Sequence, residues 1–135
     1  MMRAWVLDTS ALMTLRDGEP GAQRVKQILT ESIKDQSVCY GSFISLMEIY
    51  YRVWKDENEQ AGLSAYRACL AMPIKWIHEN NDLLMCAVAL KATHAISLAD
   101  AWIAATAIQK DATLVHKDPE FEKIRNLKHE RLPYK

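Results

Sequence analysis

The sequence VLDTSAL, residues 6–12, places a carboxylate at the end of an apolar run and follows it at once with two hydroxyl residues. The apolar residues at 4–7 predict a buried strand and residues 9–16 predict a short helix, so Asp8 stands at their junction. One interpretation is that Asp8 caps the helix, because aspartate is a favoured N-cap residue. The other is that its carboxylate faces a positive group, such as a metal ion. The rest of the chain decides between the two.

The remainder of the sequence alternates short apolar runs with longer segments of helical period. Beyond the first strand, the pattern predicts strands at 37–40, 73–77 and 112–116, and an edge strand within 128–133. Helices are predicted at 22–34, at 43–54 with Ser42 as the N-cap, at 63–72, at 82–93 and at 97–109. Strands that alternate with helices indicate an α/β domain whose central sheet is mostly parallel.

Composition indicates a globular domain, which we assign to residues 1–135. Half of the residues are hydrophobic (50%) and 25% are charged, a balance typical of one domain with one core. No apolar run reaches the ~18 residues of a membrane span, and an acid at position 8 leaves no room for the apolar region of a signal peptide. The 3 cysteines lack C-x-x-C spacing, which favours a reducing cytosol.

Net charge does not indicate a nucleic-acid ligand, because 17 basic residues balance 17 acidic ones. Such a ligand would require a local basic patch. The basic residues from Lys117 onwards are interspersed with glutamates, so we expect a solvated surface there, with contact to an RNA backbone as the alternative.

Four acidic residues occupy positions where an open α/β sheet collects ligands, at or near the carboxyl ends of its strands. Asp8 follows the first predicted strand, and Asp118 follows the strand at 112–116. Asp100 lies in the first turn of the helix after Ser97. Glu48 lies about two turns into the helix after the second strand, where its apolar neighbours require that it be paired or neutralised.

The three aspartates each have a structural explanation as well. Asp8 is a possible N-cap, and Asp118 precedes Pro119 in the common pairing of a cap with proline at the first helical position. Ser97 and Asp100 have the S-x-x-D spacing of a capping box. These explanations leave both structural and functional roles open for each residue.

If the strand ends lie side by side, the carboxylates converge on one concave site and repel one another. Protons or a divalent cation must then neutralise them. Ligand sets made only of oxygen favour Mg²⁺ or Mn²⁺ over zinc, and the 4 histidines show no zinc-ligand spacing. Mg²⁺ held by carboxylates suits in-line attack of water on a phosphodiester.

Four segments resemble the PIN-domain family, and more specifically the VapC-type toxins of bacterial toxin–antitoxin pairs. In order they are VLDTSAL, the glutamate of SLMEIYY, the phrase ISLADAWIAATA and the phrase LVHKDPEF. The resemblance covers essentially the whole chain, and ISLADAWIAATA is its most specific element.

The resemblance implies a three-layer α/β/α sandwich and a cytoplasmic endoribonuclease that depends on Mg²⁺ or Mn²⁺. It also implies a homodimer that a cognate antitoxin protein neutralises. The acidic metal-site residues would be Asp8, Glu48, Asp100 and Asp118.

Three further residues receive a role from the resemblance. Thr9 or Ser10 would orient Asp8 or hold a metal-bound water. His116 stands where the family often has threonine or serine, and it would contact the scissile phosphate or alter the pocket.

Two alternatives remain from other functional classes. A catalytically silent PIN-like binding module would be recognised by loss of an acid, whereas all four acids are present. A receiver-type phosphoacceptor domain would pair an aspartate after the first strand with a late lysine such as Lys117. It also needs an aspartate at the end of a middle strand, and the third strand is followed by no aspartate until Asp82.

Overall fold

A computed structural model describes residues 2–134, which form a five-stranded parallel sheet between two layers of helices. The strands are β1 (Arg3–Leu7), β2 (Ser37–Ser42), β3 (Lys75–Ile77), β4 (Thr113–His116) and β5 (His129–Arg131). The helices are α1 (Thr9–Asp17), α2 (Ala22–Ile33), α3 (Phe43–Asp56), α4 (Glu59–Leu70), α5 (Asn81–Thr93) and α6 (Leu98–Gln109). A 3₁₀ turn spans Pro119–Lys123. The assigned domain 1–135 extends to Met1 and Lys135, which lie outside the described residues.

The strand order is β3-β2-β1-β4-β5, and every pair of neighbours is parallel. The chain adds β2 and β3 on one side of β1, then returns to add β4 and β5 on the other side. The carboxyl ends of β1 and β4 therefore flank the point where the strand order reverses, which is where open α/β sheets form a ligand crevice.

Alternating side chains of the central strand divide the core between the two faces of the sheet. Trp5 and Leu7 face the layer of α1 to α4, whereas Val6 faces α5 and α6. All three are almost fully buried. The α/β/α sandwich expected from the sequence is confirmed.

The predicted elements differ from the observed ones mainly at their ends. β2 continues through Gly41 to Ser42, and the ring of Trp76 on β3 packs so closely that a Cβ at position 41 would lie 2.4 Å from it. α4 begins at Glu59, four residues before the predicted start, since Asn58 caps it by accepting a hydrogen bond from the amide of Ala61. The predicted edge strand is present as β5.

Among the helices of residues 2–134, none combines the length and the apolar character needed to cross a membrane.

Candidate active site

Asp8 directly follows β1 and is only 3% exposed. Its Oδ2 accepts hydrogen bonds from the Ser10 amide, at 3.0 Å, and from the Ser10 hydroxyl, so Asp8 does cap α1. Burial raises its pKa from 3.8 to about 6; the bonds from Ser10 oppose this rise, and the carboxylates of Glu48 and Asp118 add to it. Asp8 is therefore both a cap and a member of an acidic group.

Ser10 connects the ends of β1 and β4. Its hydroxyl donates to Asp8 and accepts a hydrogen bond from the Lys117 amide at 2.9 Å. The Asp8 amide in turn donates to the Val115 carbonyl at 3.0 Å. These bonds hold Asp8 in a fixed position relative to the loop after β4.

Glu48 on α3 has the two partners that its apolar surroundings require. The Thr9 hydroxyl lies 2.6 Å from Glu48 Oε1 and donates to it, while Arg52 lies 3.0 Å from Oε2. The hydroxyl oxygens of Thr9 and Ser45 lie 2.9 Å apart and are hydrogen-bonded to each other. Thr9 thus orients Glu48 rather than Asp8. Our sequence reasoning missed Arg52, although its i,i+4 spacing from Glu48 is a local signal.

Asp100 lies in the first turn of α6 and is 8% exposed. The Ser97 hydroxyl accepts from the Asp100 amide at 3.1 Å, as the S-x-x-D spacing predicts. In a complete capping box the Asp100 carboxyl would return the bond to the Ser97 amide. Here Glu120 Oε2 accepts the hydrogen bond from the Ser97 amide instead, at 3.2 Å. The Asp100 carboxyl does not make this bond and can face the other acids.

The pKa of the Asp100 carboxyl group is raised far above its ordinary value. Burial raises its pKa from 3.8 to about 9, and hydrogen bonding to Glu120 together with the charges of Asp8 and Asp118 adds to the effect. The same hydrogen bond lowers the pKa of Glu120. These opposite shifts favour the protonated form of Asp100 and the ionised form of Glu120.

One group of possible metal ligands exists among the described residues, formed by Asp100, Asp118 and Glu120. One carboxylate oxygen from each lies within 4.8 Å of the other two. Asp118 reaches this position by capping the 3₁₀ turn, with its Oδ1 3.0 Å from the Glu120 amide. The negative charge of Asp8 raises the pKa of Asp100 in this group, and the negative charge of Glu48 raises the pKa of Asp8.

Glu120 is a site residue that the sequence reasoning missed. Its local signal is the D-P-E spacing, which places an acid two residues after the cap Asp118. The contact with Ser97, 23 residues away, has no local signal.

His116 is completely buried beneath the loop that carries Asp118. Its Nδ1 accepts from the Asp118 amide at 3.1 Å, and its Nε2 lies 3.0 Å from Nδ1 of His129. Burial lowers the pKa of His116 to about 4, so the ring is neutral near pH 7. A side chain without exposed surface does not present itself to a substrate phosphate, and this placement favours the role of shaping the pocket.

Several basic side chains after β4 contact neighbouring acids or carbonyl groups. Lys128 lies 2.7 Å from Asp111, and Arg131 lies 3.3 Å from Glu122. Lys117 Nζ lies 3.1 Å from the Pro20 carbonyl and 3.5 Å from the Glu19 carboxylate. These contacts agree with the expected solvated surface.

Comparison with known proteins identifies relatives by family and by fold. The model of the PIN domain family matches residues 5–127. The chain is similar in structure to VapBC2 from Rickettsia felis, solved bound to a DNA fragment from their promoter, with a TM-score of 0.77, 22% identity, and coverage of 96% of this chain and 99% of that chain. A comparison with curated protein sequences gives no match.

Two further solved structures share the fold. VapBC-1 from nontypeable Haemophilus influenzae gives a TM-score of 0.73 at 23% identity, over 95% of this chain and 97% of that chain. VapC20 from Mycobacterium tuberculosis, described as a Sarcin-Ricin loop cleaving toxin, gives 0.68 at 18% identity, over 88% and 93%.

Proposed function

Because the chain belongs to the PIN domain family, we propose that it is a metal-dependent endoribonuclease that hydrolyses RNA phosphodiester bonds in the cytoplasm. We further propose that it is the toxin of a VapBC-type toxin–antitoxin pair. The observation that carries the proposal is the convergence of Asp100, Asp118 and Glu120 beside Asp8, at the crevice between β1 and β4.

The donor set fits a hard divalent cation. The three clustered ligands are carboxylates, the donor type that Mg²⁺ and Mn²⁺ prefer. The proton on Asp100 marks a charge imbalance that a cation would correct. In this proposal Asp8, Asp100 and Asp118 hold Mg²⁺ or Mn²⁺ directly or through water, and Glu120 joins them.

A bound cation supplies Lewis-acid stabilisation of the negative charge that develops on the phosphate and its leaving oxygen. The chain itself supplies orientation. Ser10 fixes the carboxyl of Asp8, and the Thr9 hydroxyl and Arg52 fix the two oxygens of Glu48. Glu48 completes the acidic group and positions the attacking water.

The proposed antitoxin partner has a suitable surface on the helical layer of α1 and α4. An apolar groove of about 320 Å³ runs between these helices. Its lining includes Leu12, Met13, Ala61, Ala65 and Met72. Such a groove accommodates the apolar face of a short helical segment of a partner. The structural relatives from Rickettsia felis and Haemophilus influenzae, both VapBC proteins, support an antitoxin as the partner.

A calorimetric Mn²⁺ titration combined with an RNA cleavage assay tests the enzyme proposal. We expect the wild-type chain to bind Mn²⁺ saturably and to cleave RNA within a total RNA preparation, and we expect Asp100→Asn to lose both properties. The matched control is Asp82→Asn, which makes the same change in the first turn of α5 at an exposed position. If the folded wild-type chain neither binds Mn²⁺ nor cleaves RNA, the enzyme proposal fails and a silent binding module remains.

A further inference from the structure

We propose that His116 and His129, which we call the histidine pair, position Asp118 for cation binding and so make the edge strand β5 part of the active-site support. The hydrogen-bond arrangement stands on the structure alone, and its consequence for cation binding rests on the proposed function. Neither histidine touches the reacting groups in this proposal. Both are positioning residues that act through Asp118.

The first link is the bond between the Asp118 amide and His116 Nδ1, at 3.1 Å. An amide hydrogen can only be accepted by a ring nitrogen that carries no proton. His116 must therefore carry its proton on Nε2. This contact joins the backbone of a proposed cation ligand directly to the last residue of β4.

The second link determines where that proton lies. His116 Nε2 is 3.0 Å from Nδ1 of His129, so a proton on Nε2 is donated to His129. Because His129 accepts this bond, it stabilises the tautomer of His116 that the Asp118 amide requires. His129 itself is exposed on the edge strand, so the pair extends from the surface to a fully buried position.

The ring of His116 is held on a third side by packing. Phe121, which is fully buried in the 3₁₀ turn, meets it edge to face with ring centroids 5.1 Å apart. Rotation of the imidazole by 180° would place carbon atoms where both hydrogen bonds are made. The arrangement therefore specifies one ring orientation as well as one tautomer.

The Asp118 amide is one of three successive constraints on the loop after β4. The Ser10 hydroxyl accepts a hydrogen bond from the Lys117 amide, and His116 Nδ1 accepts one from the Asp118 amide. Asp118 Oδ1 in turn accepts a hydrogen bond from the Glu120 amide. A change at the middle bond moves Asp118 and, through its cap, also moves Glu120. Two of the three clustered ligands thus depend on His116.

The histidine stands at a position where the resemblance leads one to expect threonine or serine. A threonine hydroxyl accepts from the amide two residues ahead, so it can form the same local bond to Asp118. It is too short to reach β5. The histidine keeps the local bond and adds a link to the edge strand.

Two substitutions at position 116 separate the two bonds. In His116→Asn the side-chain oxygen occupies the place of Nδ1, so it retains the acceptor for Asp118 and loses the link to His129. In His116→Gln the amide nitrogen occupies the place of Nε2, so it retains the donor to His129 and loses the acceptor. Both variants leave a polar group in the same buried site, which makes each a control for the stability of the other.

The experiment measures Mn²⁺ affinity by calorimetry, exchange of the Asp118 amide by NMR, and the nitrogen shifts of His116. We expect His116→Gln to weaken Mn²⁺ binding by about tenfold or more and to expose the Asp118 amide, whereas His116→Asn stays within about threefold of wild type. His129→Ala should shift the tautomer of His116 and weaken binding by an intermediate factor. Lys128→Ala, at an exposed neighbour on the same edge, should change neither the tautomer of His116 nor the affinity for Mn²⁺.

The proposal is overturned if His129→Ala leaves the His116 tautomer and the Asp118 exchange rate unchanged. Equal losses of affinity in the asparagine and glutamine variants would also overturn it, since they would indicate packing alone. Failure of the proposed function is recognised separately. If the wild-type chain binds no Mn²⁺, the amide exchange and the nitrogen shifts still decide whether the histidine pair positions Asp118.

Discussion

Asp100 binds its proton more tightly in the folded chain than in the unfolded one, because burial and neighbouring carboxyl groups raise its pKa from 3.8 to about 9. A raised carboxyl pKa stabilises the fold at low pH. That contribution is complete below about pH 3.8 and is lost as the pH rises towards about 9. At neutral pH the fold without a cation therefore retains only part of this stabilisation.

We expect Asp100→Asn to be more stable than the wild-type chain in EDTA at pH 8, with a Tm higher by about 4 °C or more. Asparagine keeps the shape and the hydrogen bonds but has no charge to neutralise. The difference should shrink at pH 5, because that pH is closer to the unfolded pKa of 3.8, so that protonating the carboxyl on folding costs less free energy. Thermal unfolding at the two pH values measures this, with Asp82→Asn as the control. A variant less stable than wild type at pH 8 would contradict the electrostatic account.

At Asp8 the capping and electrostatic roles can be separated by two substitutions. Asparagine is as good an N-cap as aspartate, so Asp8→Asn should keep the bond from the Ser10 amide while removing a buried charge. We expect its Tm without cation to equal or exceed that of wild type. Asp8→Ala also loses the cap, which costs about 1 kcal/mol. Equal stability of the two variants in urea unfolding would show that the cap contributes nothing.

At the scale of elements, α6 depends on a cap that comes from another part of the chain. Glu120 in the 3₁₀ turn accepts a hydrogen bond from the amide of Ser97, the N-cap residue of α6, in the place of the returning bond of a capping box. The proposed cation site and the capped helix end are therefore parts of one arrangement. Substitutions at Glu120 should affect both, but not in equal measure.

We expect Glu120→Gln to keep the cap through its amide oxygen and to leave the stability of the chain without cation within about 0.5 kcal/mol of wild type. Glu120→Ala should lose about 1 kcal/mol, because the Ser97 amide is left without its acceptor. Both variants should bind Mn²⁺ more weakly, since each removes a carboxylate. Urea unfolding and calorimetry measure the two effects. A glutamine variant as unstable as the alanine variant would exclude the cap.

The sequence predicts the elements and the N-caps at Ser42 and Ser97 well, because helix starts and strand alternation depend on neighbouring residues. It also indicates the positions of Asp100 and Asp118, since both follow from where strands and helices end. It does not indicate the partner of Ser97, the extension of β2 past Gly41 or the link from His116 to β5. Each of these depends on contacts between segments that are distant in the sequence.

At the scale of the whole molecule, the homodimer that the family resemblance implies, and that we propose for this chain, requires an apolar surface outside the crevice. Exposed apolar side chains on α5 and α6 provide one. Leu98 is 69% exposed, Met85 is 54% exposed and Val88 is 53% exposed. The groove beside them is lined by Leu84 and Trp102, so a second copy would extend an existing core rather than cover a polar face.

We expect sedimentation equilibrium to give twice the 15.4 kDa of one chain. Val88→Asp should shift the mass towards that of one chain, because a carboxylate at the centre of an apolar interface loses its hydration. Ile33→Asp, which makes the same kind of change at an exposed position on α2, should leave the mass unchanged. A wild-type chain that sediments as a monomer at all concentrations would contradict the homodimer.

The strand order has a consequence for the order in which a ribosome delivers the chain. β1 is made first, yet its neighbour on the catalytic side is β4, more than a hundred residues later. Asp118 and Glu120 are therefore synthesised long after Asp8, and the acids can converge only once all three are present. A nascent chain whose β4 is still inside the ribosome has no assembled acidic group. The proposed nuclease can therefore become active only when translation of the domain is nearly complete.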